Sequence, residues 1–194
     1  MTRPITYDKS RVLEKATELF WDRGYEGCSI NALAERTGLN KHSMYAEFGN
    51  KEGLFLACID YYREKANVCA VNILRSKPEG ISSIKAFLED RAQYAATEDC
   101  KGCLLFNTVS EISTLSRKVR EKTERELIQH RAFLKRCVEA AKEKGEIRSD
   151  ADCDAFTDYL DCYIRGLMNK GKGEKKTLKE LRKMNRIALA ALIK

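Results

Sequence analysis

Proline and long apolar runs are both scarce in this chain of 194 residues. Only Pro4 and Pro78 occur, and a proline inside a helix removes a hydrogen bond and clashes with the preceding turn. Apolar residues recur at spacings of three and four over long stretches, with few strand-like alternations. Together with a charged fraction of 34%, this pattern predicts an all-helical protein, either one large domain or a small one joined to a larger one.

Signals for export and for membrane insertion are also missing. The opening "MTRPITYDKSRVLEKA" has no apolar core of a secretory signal, and no run approaches the roughly 18 apolar residues of a membrane span. The eight cysteines are scattered, mostly at apolar helical positions, where reduced thiols act as small buried hydrophobes. We therefore expect a cytoplasmic protein with reduced thiols and no membrane partner.

Catalytic signatures are missing as well. No Ser/His/Asp set, phosphate-cradling loop or pair of carboxylates stands out, so we expect no enzyme activity and no cofactor. The one spacing that suggests chemistry is Cys100-Lys-Gly-Cys103, which can form a disulfide or half of a zinc site. No second pair or histidine follows at metal-ligand spacing, so no metal is expected. We interpret both cysteines as structural, with redox or electrophile sensing as the alternative.

Positive charge is unevenly distributed along the chain. The net charge is +7, yet residues 1–53 carry eight Lys/Arg against eight Asp/Glu, and residues 54–169 carry nineteen of each. The entire excess lies in residues 170–194, which we interpret as a solvated loop and helix face. Net charge therefore does not identify the opening segment as a nucleic-acid reader, and local placement has to decide.

Capping residues and apolar periodicity divide the chain into nine predicted helices. Asp8, Ser29 and Asn40 can each cap a helix, and Gly38 can end the second one. The segment "SKPEG" is the clearest break, and "KGKGEKK", residues 170–176, is predicted to be a polar loop. The predicted helices cover approximately residues 9–23, 29–38, 40–48, 51–75, 81–96, 103–112, 116–144, 152–169 and 178–193.

The second and third helices have the spacing of a helix-turn-helix, whose second helix can enter a major groove. Gly38 permits the tight turn, and apolar residues anchor the short third helix. Lys41, His42 and Tyr45 are then left on its outer face, where they can reach phosphates or base edges. Lys51 adds a cation at a helix N-terminus, which suits a phosphate.

The segment "LEKATELFWDRGYEGCSINALAERTGLNKHSMYAEFGNKEGLF" resembles the DNA-binding head of the TetR family of bacterial transcriptional repressors. The matching pieces are "A..LF...GY..CSI..LA...G" and "S.Y..F.NKE.L", and the match covers approximately residues 8–58. "GCLLFNTVSE", residues 102–111, is similar to a segment of one branch of that family, in which the cysteine after the glycine serves some members as a sensor. The resemblance implies an all-α fold with a helix-turn-helix head, residues 1–50, joined by a long helix to a ligand-binding and dimerisation body, residues 51–194.

The resemblance also implies which head residues contact DNA. A flexible arm containing Arg3 could enter a minor groove. Ala46 departs from the family pattern, so its contact is reduced or absent. Glu47 is expected to repel phosphates unless it pairs with a neighbouring cation or accepts from a cytosine. The implied contacts come from Ser29, Asn31, Lys41, His42, Ser43, Tyr45 and Lys51.

Apolar residues of the body suggest a dimer interface and an effector pocket. The last two helices carry apolar bands too wide for one internal face; internal core is the alternative, and the resemblance implies a four-helix dimer interface. The interface residues we predict are Phe156, Tyr163, Leu167, Leu181, Ile187 and Ala191. The pocket residues we predict from periodicity, each of which also fits plain core packing, are Tyr62, Phe87, Tyr94, Phe106, Phe133 and Tyr159.

Taken together, these features predict a ligand-responsive repressor that binds a palindromic operator in double-stranded DNA as a homodimer. No constellation of arginine, histidine and acidic residues is visible in the sequence, so an apolar or aromatic effector is expected. The alternatives are a thiol-based sensor of the same DNA-binding class that uses Cys100 and Cys103, and a thiol enzyme or scaffold without DNA binding.

Overall fold

The computed structural model describes residues 7–76 and 79–193, without the side chains of residues 66–71 and 74–76. Arg3, expected in a DNA-contacting arm, lies outside the described residues. The described part is all-helical and contains no strand, which confirms the predicted fold class. Its nine helices are α1 Lys9–Arg23, α2 Ile30–Thr37, α3 Lys41–Phe48, α4 Lys51–Ser76, α5 Ile81–Ala95, α6 Leu104–Ser110, α7 Arg117–Glu143, α8 Cys153–Gly173 and α9 Leu178–Ala190.

The helices of the N-terminal head begin at the capping residues that the sequence indicates. The side chains of Asp8, Ser29 and Asn40 each accept a hydrogen bond from the backbone N–H three residues later, at 3.2, 3.1 and 2.8 Å respectively. Each bond satisfies an N–H that the first turn would otherwise leave without a partner. Gly38 ends α2 in the left-handed region, with φ of 75°, where glycine carries no steric penalty.

Helix α8 is longer than predicted. It continues to Gly173, so the prediction of a loop from Lys170 is wrong. The last turn carries Lys170 and Lys172, and positive charge is favourable at a helix C-terminus. Gly171 lets this turn approach α5, because a Cβ at that position would lie 2.7 Å from the carbonyl oxygen of Ala95.

The head and part of the body share one apolar core. Phe20 of α1 and Phe55 of α4 pack with ring centroids 4.8 Å apart, and both are fully buried. The same cluster includes Leu104 and Leu105 of α6 and Val119 of α7. The head is therefore seated on α4 and α6, while α5, α7, α8 and α9 supply most of the remaining core.

The described cysteines are free thiols. Cys28, Cys58, Cys100 and Cys137 are buried, whereas Cys162 is exposed on α8. Burial raises the pKa of Cys28 and of Cys137 to about 11. Thiolate character is therefore suppressed at these positions, as expected of structural cysteines. Within the described residues, no helix is both long enough and apolar enough to span a bilayer.

Candidate nucleic-acid interface

Helix α3 presents one polar face to the outside of the head. Met44 is 1% exposed and fixes the helix to the core. On the outer side Lys41 and His42 are exposed, and Tyr45 is 46% exposed. Positions 41, 42 and 45 share a face because residues three and four apart in a helix are neighbours. The structure thus brings together the three side chains that the sequence placed outward, while Ser43 is half-buried beside them.

The other predicted contact residues lie at the N-termini of α2 and α4. Ser29 caps α2 and Asn31 is exposed in its first turn. The ammonium group of Lys51, at the start of α4, lies 4.2 Å from the ring centroid of Tyr25, which is the geometry of a cation–π contact. The ring therefore positions a positive charge beside a helix N-terminus, where an anion is favoured.

Glu47 is neutralised from within the head. Its Oε1 lies 2.7 Å from Nζ of Lys9. Of the two arrangements expected from the sequence, a pair with a neighbouring cation or a hydrogen bond from a cytosine, the structure contains the first. Hydrogen bonds from Lys9 and then from Tyr7 hold the pKa of Glu47 below its usual range. This carboxylate fastens α3 to α1 instead of standing free against a phosphate. Sequence reasoning had no signal for this partner, because Lys9 lies far from Glu47 along the chain.

A carboxylate of the body holds the turn between α1 and α2. Oε2 of Glu111, at the end of α6, accepts from the backbone N–H groups of Tyr25 at 3.0 Å and Glu26 at 3.3 Å. Gly24 has φ of 74°, and a Cβ there would lie 2.2 Å from Oε1 of Glu111. The carboxylate therefore occupies the space that a side chain would fill. Sequence reasoning missed this contact, although Glu111 closes the family-like segment "GCLLFNTVSE".

Five of the six predicted pocket residues fall into two aromatic clusters. Trp21 of the head lies between Tyr62 and Tyr94, with ring centroids 5.1 and 6.0 Å away. The hydroxyl of Tyr62 donates to Sγ of Cys103 at 3.4 Å. This first cluster therefore joins α1 to α4, α5 and the start of α6.

The second cluster lies deeper in the body. Phe87 packs against Phe133 at 5.5 Å and against His130 at 5.8 Å, and Phe106 meets His130 edge-on at 6.1 Å. Tyr159 belongs to neither cluster, because it is 40% exposed on the outer side of α8. Its prediction as an interior wall is wrong: α8 is apolar on more than one face, and periodicity cannot say which face turns inward.

A cavity of about 550 Å³ lies between α6, α7 and α8. Its apolar wall includes Val109, Ile112 and Leu127. Its charged lining, which the sequence did not reveal as a constellation, consists of Arg120, Glu124, Arg131, Asp161 and Arg165. The first three lie on α7 and the last two on α8, so the two groups are distant along the chain and meet only because α7 and α8 pack side by side. None of the predicted aromatic residues lines this cavity.

Asp161 is the most enclosed charge of this cavity, at 9% exposure. Its Oδ2 accepts from Nε of Arg165 at 2.8 Å, and its Oδ1 lies 3.4 Å from Nδ1 of His130. Burial acts to raise the pKa of Asp161, but His130 and Arg165 outweigh it and hold the pKa below its usual range. The Arg165 guanidinium also lies 4.6 Å from the ring centroid of Phe106. Asp161 is therefore an ionised acceptor at the cavity wall.

The predicted dimer residues divide between surface and core. Ile187 is 72% exposed and Ala191 is exposed. Phe156 and Tyr163 are half-buried. Leu167 and Leu181 are 0% exposed within their own chain, so their assignment to the interface is wrong, and they belong to the internal core. Packing of α5 against α8 and α9 encloses them.

Comparisons with known proteins agree with this architecture. Residues 12–58 match the family described as bacterial regulatory proteins, tetR family. Residues 80–184 match the tetracyclin repressor-like C-terminal domain. The HTH-type transcriptional repressor ComR of Escherichia coli (strain K12) is 29% identical over 167 residues, which cover 85% of this chain and 80% of ComR.

Solved structures show the same fold. A TetR transcriptional regulator from Chloroflexus aurantiacus is 26% identical with a TM-score of 0.82, covering 96% of this chain and 98% of that one. A cysteine mutant of the TetR family regulator CifR, complexed with 26-bp operator DNA, is 24% identical with a TM-score of 0.85. The match covers 97% of this chain and 99% of the CifR chain. The two family matches take in the helix-turn-helix head and most of the body, and the chain therefore belongs to the TetR family of bacterial transcriptional regulators.

Proposed function

We propose that this protein is a ligand-responsive repressor that binds a palindromic operator as a homodimer in the cytoplasm and is released by a small effector. The observation that carries the proposal is the outer face of α3, where Lys41, His42 and Tyr45 stand exposed on a helix anchored by Met44. A short, rigid helix of this kind fits a major groove. The relative ComR, which is named a repressor, supports the direction of control, and the operator-bound regulator CifR supports DNA binding.

Each head residue has a proposed role. Lys41, His42 and Ser43 reach base edges, and Asn31 reaches a base from α2. Backbone phosphates are bound by the residues that stand at helix N-termini or carry a phenol, because these groups donate hydrogen bonds to phosphate oxygens. They are Ser29, Tyr45 and Lys51.

The homodimer is proposed to form through the exposed stripe of α8 and α9. Tyr159 and Ile187 are large exposed apolar residues of these helices, and Cys162 and Ala191 are exposed as well. An isolated monomer rarely exposes such a patch, and a twofold interface is the commonest way to cover it. Two heads then meet half-sites about 34–36 Å apart, or a multiple of that spacing.

Helix α6 is the proposed connection between effector and DNA. Val109 and Ile112 line the cavity, while Glu111, between them in sequence, holds the α1–α2 turn of the head. An occupant that displaces the end of α6 therefore also displaces the head. Coupling of this kind is typically worth about 1–3 kcal/mol, or roughly 5–150-fold in affinity.

Repression can be tested without knowing the effector. Purified protein would first select its binding sites from the genome of its source organism. Transcription from the promoters next to those sites would then be compared before and after deletion of the gene. Repression predicts that transcription rises on deletion; unchanged or lower transcription would contradict it.

A thiol switch is the second candidate, favoured by the position of one cysteine. Cys103 is the N-cap residue of α6, and its Sγ accepts a hydrogen bond from the hydroxyl of Tyr62, so oxidation there would disturb the helix that contacts the head. Burial raises the pKa of Cys100, which suppresses the reactive thiolate form of that side chain. A Cys100→Ser, Cys103→Ser double variant that still releases its DNA under peroxide as the parent protein does would remove this candidate.

A further inference from the structure

The carboxylate of Asp161, which lines the cavity between α6, α7 and α8, is incompletely hydrogen-bonded. Oδ1 of Asp161 is enclosed, and no described residue donates a well-directed hydrogen bond to it. Nδ1 of His130 lies 3.4 Å away and pairs with this carboxylate electrostatically, but the contact is not a well-directed hydrogen bond. A carboxylate can accept several hydrogen bonds. A ligand that brings a hydroxyl or amino donor to Asp161 therefore completes the hydrogen bonding of this buried group.

Arg120 supplies an uncompensated cation at the same cavity. Its Nε donates to the carbonyl oxygen of Leu115 at 2.8 Å, and it forms no ion pair within the described part of the chain. Arg131, by contrast, is held by Asp154 and Asp158. A guanidinium with free N–H groups matches the two oxygens of a carboxylate.

The remaining lining limits the charge and the shape of an occupant. Glu124 also lines the cavity and would repel a second negative charge. Val109, Ile112 and Leu127 form an apolar wall. The volume of about 550 Å³ lies within the range of small-molecule sites, about 300–1,000 Å³. An alkyl or aryl group therefore accompanies the polar groups.

We propose that this cavity binds a small organic acid that carries one carboxylate, a hydroxyl or amino donor, and an alkyl or aryl group. Arg120 binds the carboxylate, and the carboxylate of Asp161, which lines the cavity, accepts from the donor. This inference rests on the proposed function in one respect, namely that the occupant acts as the effector through α6. It replaces the expectation of a purely apolar or aromatic effector.

Three matched probes test the site by calorimetry on the full-length protein. Phenyllactate has all three features, hydrocinnamate lacks the hydroxyl, and phenyllactamide lacks the charge. We expect phenyllactate to bind at least about tenfold more tightly than either analogue, a difference of about 1.4 kcal/mol.

Variants assign each preference to a residue. Arg120→Met is expected to remove the preference for phenyllactate over phenyllactamide. Asp161→Asn is expected to remove the preference for phenyllactate over hydrocinnamate. Arg117→Met is the matched control, because Arg117 lies on the same helix, is exposed, and pairs with Glu121 outside the cavity. Each preference is a ratio measured within one variant, so a general loss of stability does not imitate the result.

Failure of the site and failure of the proposed function are distinguishable. Equal binding of the three probes, no binding of phenyllactate, or an unchanged preference in Arg120→Met would overturn the site and leave repression by another effector intact. Binding of phenyllactate without any change in affinity for the selected DNA would keep the site and remove its role as the effector site.

Discussion

Glu126 shows how a single buried carboxylate connects the helix that leaves the head to the body. It is 6% exposed and lies 2.5 Å from Nε of Arg63 on α4 and 2.8 Å from Nζ of Lys122 on α7. Burial acts to raise the pKa of Glu126, but the hydrogen bonds from Lys122 and Arg63 prevail and lower it. Its ionised form is therefore favoured by folding.

Glu126→Gln is expected to lower the free energy of unfolding by about 3 kcal/mol, because removing one member of a buried ion pair typically costs 3–5 kcal/mol and the amide keeps some hydrogen bonding. Since the folded-state pKa is depressed, the contribution of Glu126 is present above its unfolded pKa of about 4.3 and is lost as pH falls through the folded value. Urea unfolding at several pH values would show a shallower acid slope in the variant. An identical slope would contradict this role, and Glu143→Gln, at an exposed position, is the control.

The carboxylate of Glu111 is expected to protect the backbone of the α1–α2 turn from local opening. Glu111→Ala removes the acceptor of two backbone N–H groups, so amide hydrogen exchange at Tyr25 and Glu26 is expected to accelerate by about tenfold or more, as local opening becomes easier. Glu111→Gln, which retains one acceptor oxygen, is expected to have a smaller effect. Unchanged exchange in Glu111→Ala would show that this carboxylate does not hold the head.

At the scale of helices, α8 and α9 separate an internal face from an outer one. Leu181 is enclosed, while Ile187, on the same helix, is 72% exposed. Periodicity finds the apolar bands, but the inward face depends on where α5 packs, which no local pattern specifies. The caps of α1, α2 and α3 were predictable because each depends on residues only three positions apart.

Ile187→Glu is expected to convert a homodimer into monomers, because a charge would be buried at the centre of the proposed interface. Sedimentation velocity would measure the mass. Lys179→Glu, at an exposed position on the same helix, is the control and is expected to stay dimeric. A dimeric Ile187→Glu protein would place the interface elsewhere.

At the scale of the whole molecule, the head and body are joined by a shared core and by Glu111. The all-helical class and the polar face of α3 could be predicted from the sequence, because both follow from local periodicity and spacing. The charged cavity could not, since Arg120 and Arg165 are distant along the chain and converge only through tertiary packing. The net charge gave no indication of the DNA-facing surface either, because the basic excess lies in residues 170–194 and the head has no excess of either sign.

The most direct test of the central claim is the affinity of α3 variants for the selected operator, measured by fluorescence anisotropy at several salt concentrations. Lys41→Ala and Tyr45→Ala are each expected to weaken binding by about tenfold or more, within the 1–3 kcal/mol typical of a specific contact. A lost phosphate contact also reduces the salt slope by about one. Lys175→Ala, an exposed lysine after α8, should bind as the parent protein does. If all three variants bind as tightly as the parent protein, α3 does not read DNA.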